Sequence, residues 1–196
     1  MERGPRDRPA ESSEESDSDR NYLLPRHPSE VSRLDLQHYA LRETLRANYL
    51  APIDEPARIL DVGTGTGRWV FDLCHAFPRA LGVGLDLVAI GSASGPSNYR
   101  FVRGDVTAGL PFDDATFDFV HQRLLRLGIP TAAWDGVIAE LVRVTAPGGW
   151  VELAEVGVGI ESIGPATEAL FDSAAELGVG FCLGFAELTP DGHHYN

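Results

Sequence analysis

The run Asp61-Val-Gly63-Thr-Gly65-Thr-Gly67 constrains this chain more than any other feature. It follows a short apolar stretch, Arg58-Ile-Leu-Asp-Val62. It precedes Arg68 to Phe77, where Trp69, Val70, Leu73 and Phe77 share one helical face. A glycine loop between a strand and a helix is the context that gives such a loop meaning. Gly63 and Gly65 let the backbone turn sharply and let a ligand approach where a Cβ would otherwise stand. The helix opening at Arg68 aims free backbone N–H groups at that space, which suits an anionic group such as a carboxylate.

The same rhythm continues downstream. Leu81-Gly-Val-Gly-Leu85, Tyr99-Arg-Phe-Val102, Phe117-Asp-Phe-Val120 and Trp150 to Val156 read as strands. Trp134 to Val144 reads as a helix with Val137, Ile138, Leu141 and Val142 inward. Short buried strands alternating with helices predict an α/β domain: a doubly wound, mostly parallel sheet flanked by helices. Upstream, Val31, Leu34, His38, Leu41 and Leu45 fall on one face of a helix that starts near Ser29 and ends before Pro52. Downstream, Pro165 to Gly178 reads as a helix and Phe181 to Phe185 as one more short strand.

Two ligand classes compete for the loop. A dinucleotide loop has the spacing G-x-G-x-x-G. Here the third glycine comes one residue early, at Gly67, and Arg68 stands where the dinucleotide loop needs glycine. Asp61 would repel a pyrophosphate and is better suited to the ammonium of an amino-acid ligand. A phosphate-binding P-loop is excluded, because no Gly-Lys-Ser/Thr follows. The second strand ends at Asp86, whose carboxylate can accept two hydrogen bonds from a ribose diol. After the third strand, Asp105 can accept from an adenine amino group while Val106 packs on the ring. Each carboxylate alone reads as a solvated turn residue; three at successive strand ends read as a site.

Composition narrows the partners. The net charge is -13, with 29 acidic residues against 16 arginines and no lysine. Such a chain repels phosphate backbones, and no arginine cluster offsets this, so nucleic acid is not an expected partner. Cys74 and Cys182 form no CxxC pair and have no histidine at metal-ligand spacing; they read as free thiols, and no metal site is expected. His193-His194 reads as a solvated pair. Residues 1–20, with Glu11-Ser-Ser-Glu-Glu-Ser-Asp-Ser-Asp19, have nothing apolar to bury and read as a disordered acidic tail. That tail does not read as a signal peptide, and no apolar run spans a bilayer, so no membrane partner and a cytoplasmic location are expected, or a nuclear one in a eukaryote. The organisation read from these shifts is the tail at 1–20, a helical segment at 21–52, a ligand-binding core at 53–160 and a short C-terminal segment at 161–196.

Taken in order, Ile59-Leu-Asp-Val-Gly-Thr-Gly-Thr-Gly67, Gly84-Leu-Asp-Leu87, Phe101-Val-Arg-Gly-Asp105, Phe117-Asp-Phe-Val-His121 and Glu140 to Glu152 resemble class I S-adenosylmethionine (SAM)-dependent methyltransferases. Tyr22-Leu-Leu-Pro25, Arg33-Leu-Asp-Leu-Gln-His38 and Trp69 extend the likeness to the LaeA-like group, over roughly Tyr22 to Val156. The resemblance implies a Rossmann-like sheet that binds SAM. Asp61, Gly63, Thr64, Gly65 and Gly67 would line the methionine part, Asp86 and Leu87 the ribose, and Asp105 and Val106 the adenine. His121 and Gln122, just past the fourth strand, would face the methyl donor and the substrate, with His121 the candidate general base. The activity implied is methyl transfer to a small-molecule acceptor; a SAM-binding regulatory protein without efficient catalysis shares every cofactor residue. An NAD-dependent oxidoreductase is disfavoured by the loop spacing.

The family sheet has seven strands and ends in a hairpin. After Val156 too few residues remain for a helix, a long crossover and that hairpin. A shortened C-terminal part and an uncovered sheet edge are therefore expected, and with them pairing to a second copy or a partner protein.

Overall fold

The computed structural model describes residues 28–90, 95–156 and 180–186. The acidic stretch 1–20, the helix expected over 165–178 and His193-His194 lie outside them. The elements in chain order are α1 (Pro28–Leu45), β1 (Arg58–Val62), α2 (Arg68–Ala76), β2 (Leu81–Asp86), β3 (Tyr99–Arg103), β4 (Phe117–Arg123), α3 (Trp134–Val144), β5 (Thr145–Val156) and β6 (Gly180–Ala186). Single 3₁₀ turns lie at Val106–Ala108 and Thr131–Ala133.

The strands form one six-stranded sheet in the order β3-β2-β1-β4-β5-β6, and every neighbouring pair is parallel. This is the α/β doubly wound architecture, and the strand order reverses between β1 and β4. That reversal opens a crevice at the carboxyl ends of the strands, where ligands of such sheets bind. Side chains alternate across the sheet, so β1 feeds two layers. Ile59 packs with Trp69, Val70, Leu73 and Phe119 under α2. Leu60 and Val62 pack with Val120, Leu141, Val151 and Leu153 under α3. Each large side chain buried in these layers contributes roughly 1.5–3 kcal/mol.

The predicted helical face of α1 is real: His38 is buried and Val31, Leu34, Leu41 and Leu45 are half-buried. That face lies on the glycine loop and on α2. Asp35 accepts from the Thr66 hydroxyl at 2.8 Å and from Arg68 Nε at 3.1 Å. The helical segment and the core are thus bonded to each other.

β4 runs three residues beyond the expected Val120, so His121 and Gln122 lie inside the strand instead of past it. A polar stretch reads as loop when taken alone. Here it is zipped on both sides: Asp61 and Val62 pair with His121 and Gln122, and Glu152, Leu153 and Ala154 pair with His121, Gln122 and Arg123. At the far side β6 lies parallel to β5 from Trp150↔Gly180 to Val156↔Ala186, and the described residues contain no terminal hairpin. No described helix is long and apolar enough to cross a membrane.

Candidate functional site

The glycine loop connects β1 to α2 at the switch point. Gly63, Gly65 and Gly67 all adopt left-handed backbone angles, with φ of 72°, 55° and 80°. An L side chain is strained in that region, which accounts for glycine at every second position. The loop amides bind back to β2: Gly63 N and Thr64 N donate to Leu85 O at 2.8 and 3.1 Å, and Gly65 N donates to Asp86 Oδ2 at 2.8 Å.

Asp61 is 3% exposed and its two oxygens serve the protein. Oδ2 accepts from the Thr64 hydroxyl at 2.7 Å, and Oδ1 lies 2.8 Å from His121 Nδ1. His121 is 1% exposed and stacks on Trp69 at 3.6 Å between ring centroids. Asp61, Thr64, His121 and Trp69 therefore form one buried brace beneath the loop. The sequence placed Asp61 and His121 at the site but missed their bond, because the two are 60 residues apart and meet only through the β1–β4 register.

Asp86 ends β2 and is largely buried. Its Oδ2 holds Gly65 N, and its Oδ1 meets Val88 N at a longer 3.4 Å. Burial pushes its carboxyl above the usual range, against the opposing pull of the Gly65, Val88 and Leu87 amides. No cation stands within ion-pair distance of it among the described residues, so acceptor capacity remains. Leu87 follows, half-buried. Asp105 caps the turn Val106–Ala108: its Oδ1 accepts from Thr107 N at 2.8 Å and Thr107 Oγ at 2.7 Å. Val106 is buried beside it. Asp61, Asp86 and Asp105 thus stand at or just past the carboxyl ends of three adjacent strands.

Gln122 is fully buried, and neither its Oε1 nor its Nε2 has a partner among the described residues. Arg123, at the end of β4, donates from Nη2 to His38 Nδ1 at 2.9 Å. A guanidinium only donates, so His38 Nδ1 is the acceptor and its Nε2–H donates to Asp72 Oδ2 at 3.2 Å. Sequence reasoning missed Arg123 and the functional weight of His38; neither carries a local signal. No group of three or more metal-binding side chains occurs among the described residues.

Residues 59–149 match the family described as methyltransferase domain. The chain is 38% identical to methyltransferase pytC of Aspergillus terreus over 138 residues, covering 69% of this chain and 42% of that protein. It is 31% identical to methyltransferase str2 of Strobilurus tenacellus over 137 residues, covering 69% and 49%. It is 34% identical to the secondary metabolism regulator laeA of Coprinopsis cinerea over 143 residues, covering 68% and 35%. The matched region spans less than half the length of each of these three relatives. With the parallel sheet, the switch-point glycine loop and these relatives together, residues 59–149 form a methyltransferase domain, and the likeness of the chain runs to the LaeA-like group.

Proposed function

We propose that this chain binds SAM and transfers its methyl group to a small-molecule acceptor of secondary metabolism. One observation carries the reading: three left-handed glycines at the switch point are bonded, through Gly65 N, to a buried carboxylate, Asp86, that has acceptor capacity and no cation beside it among the described residues. That donor set fits an amino-acid nucleoside. Gly63, Gly65 and Gly67 would give close backbone approach, Asp86 and Leu87 would hold the ribose, and Asp105 with Val106 would hold the adenine. Bound SAM would supply an electrophilic methyl on a sulfonium. The work left to the chain is alignment and exclusion of water. Leu34 of α1 supports the second of these, since its methyl would lie 3.6 Å from a Cβ placed on Gly65.

His121 fits a different role from the base expected of it. A side chain 1% exposed, stacked on Trp69 and bonded to Asp61, reads as a positioning residue that holds Asp61 and, through Thr64, the loop. The names of the relatives support methyl transfer in secondary metabolism. The regulator among them supports a second reading, in which SAM is bound without efficient turnover.

The test is calorimetric titration of the chain with SAM and with NAD, followed by an assay for S-adenosylhomocysteine release with small-molecule extracts as acceptor. SAM should bind and NAD should not. Gly65→Val should abolish SAM binding; its Cβ meets only Leu34, at ordinary contact distance, so the cost to the fold is the backbone strain of a branched residue at φ 55°, about 1–3 kcal/mol, which a urea melt reads beside the titration. Equal SAM affinity in that variant, or binding of NAD instead, would sink the cofactor assignment. SAM binding with no release across the extracts would favour the regulatory reading.

A further inference from the structure

We propose that the solvent-facing side of α1 is a docking surface for a second copy of this chain, and that the two helices pair antiparallel, with Arg33 of each on Glu43 of the other and Leu36 of each on Ala40 of the other.

α1 is apolar on two sides. A helix lying on a domain buries one apolar stripe and turns polar residues outward. Val31, Leu34, Leu41 and Leu45 supply the inward stripe with His38. On the outward side Leu36 is 71% exposed and Tyr39 47%, with Ala40 exposed beside them. A single exposed leucine is ordinary. The arrangement around this one is not, because its neighbours on the stripe form an ordered set.

Arg33, Leu36, Ala40 and Glu43 are all exposed and follow one another at spacings of three, four and three. That is the spacing of a seam between two packed helices. The stripe is also its own complement. When a second helix is reversed and aligned at residue 38, Arg33 faces Glu43 and Leu36 faces Ala40, and each contact occurs twice. A large side chain meets a small one, and opposite charges meet. Tyr39 stands on one flank of the seam, one residue from the two-fold axis, so the two tyrosines pack together there. This is the isologous interface of a two-fold dimer. A parallel pair would set Arg33 on Arg33 and Glu43 on Glu43, which like charges disfavour. A seam for an unrelated helix has no need of the symmetry.

The charge of the molecule bears on the strength of the pair. The net charge of -13 opposes the approach of two copies at long range. The seam itself carries one arginine and one glutamate from each copy, so no repulsion is added where they touch. Arg33 Nη1 also meets Gln37 Oε1 on its own helix at 3.5 Å, and a guanidinium has five donors, so both contacts can be made. α1 has 18 residues and is about 27 Å long. One pair of such helices buries less than the roughly 1,200–2,000 Å² of a standard interface, so the dimer should dissociate on dilution. On its other side α1 is bonded through Asp35 to Thr66 and Arg68. The second copy therefore backs the helix that lies on the glycine loop without covering the loop itself.

The experiment is sedimentation velocity of the full chain at physiological salt over a dilution series. The parent should be dimeric when concentrated and monomeric when dilute. Leu36→Glu should be monomeric throughout. Arg33→Glu and Glu43→Arg should each weaken the dimer about tenfold or more, because each creates two like-charge contacts in the seam. An equal mixture of these two variants should pair within about threefold of the parent, since each copy then supplies the charge that the other lacks. In dilute solution both variants should melt with the parent, which separates loss of pairing from loss of fold. Should either melt low, Arg33→Asp with Glu43→Lys repeats the mixture. A parent that is monomeric at every concentration would overturn the proposal. So would a dimer indifferent to Leu36→Glu, which would place the pairing elsewhere, and a mixture no tighter than its two components, which would exclude the antiparallel register.

Discussion

The two faces of the central strands are both buried and differ in how their polar groups are paired. Under α2, Asp61, His121 and Glu152 stand side by side across β1, β4 and β5. Each is paired: Asp61 with His121 and Thr64, and Glu152 Oε2 with the Leu50 and Ala51 amides at 2.7 Å each. Beside them Arg123, His38 and Asp72 form a chain that reaches Arg42 and ties α1 to the sheet. Under α3 the same strands present a mostly apolar layer with two buried polar side chains: Glu155, which accepts from the Leu125 and Arg126 amides at 2.9 and 3.2 Å, and Gln122, whose amide has no partner among the described residues. The difference separates two uses of buried polarity. A satisfied network fixes the shape of the glycine loop, and a buried amide without a partner is a cost to the fold.

The comparison breaks most visibly at Asp61. Asp61→Ala removes one residue and strands two buried partners, His121 Nδ1 and the Thr64 hydroxyl. At roughly 1–3 kcal/mol for each group left unsatisfied, the expected loss is about 2–6 kcal/mol, read by urea denaturation. A loss below about 1 kcal/mol would mean that the α2 face is polar without being held by its polarity. The next effect is on binding. Asp86→Ala removes a carboxylate that would accept from two ribose hydroxyls and also releases the Gly65 amide, so SAM affinity should fall by about 2–4 kcal/mol. A change under threefold would leave Asp86 a loop anchor and no more.

The contrast between the faces also explains what could be read in the sequence. The apolar layers follow from local periodicity, and so α2, α3, the inward face of α1 and all six strands were legible, β6 included. The glycine spacing was legible for a similar reason, since left-handed turns are a property of single residues. Pairing is not local. Phe117 to Val120 looked like a complete strand because His121, Gln122 and Arg123 are polar, and only the partners brought by β1 and β5 make them strand residues. The same holds for His38, which fell on the predicted face but whose partners Asp72 and Arg123 are 34 and 85 residues away. The lack of a partner for Gln122 among the described residues is less legible still, since no local pattern encodes it.

The smallest effect tests whether α1 belongs to the satisfied face. His38 is 2% exposed, and burial, followed by the charge of Arg123, pushes its pKa below the ordinary 6.5, while Asp72 and Asp61 pull the other way. The folded chain therefore holds this proton less tightly than the unfolded chain does. Between the lowered folded value and the ordinary one the unfolded state binds more protons, so stability rises with pH across that window. Stability should be full above about pH 6.5 and should fall as the pH drops, levelling once folded His38 is itself protonated. Protonation would also turn Nδ1 into a donor facing the Arg123 guanidinium, loosening α1 from β4. The slope from one such group cannot exceed about 1.4 kcal/mol per pH unit. Asp86 and Glu155 have carboxyls raised by burial and act with the opposite sign, since there the folded state holds the extra proton; they contribute alike to parent and variant. Urea melts of the parent and of His38→Gln from pH 7.5 down to 5.5 isolate the term. The parent should lose stability faster than the variant over that range. Parallel profiles would show that α1 is held by its other contacts, Leu34 and Asp35 on the glycine loop and α2 and Arg42 on Asp72, with the histidine chain contributing nothing that a proton can break.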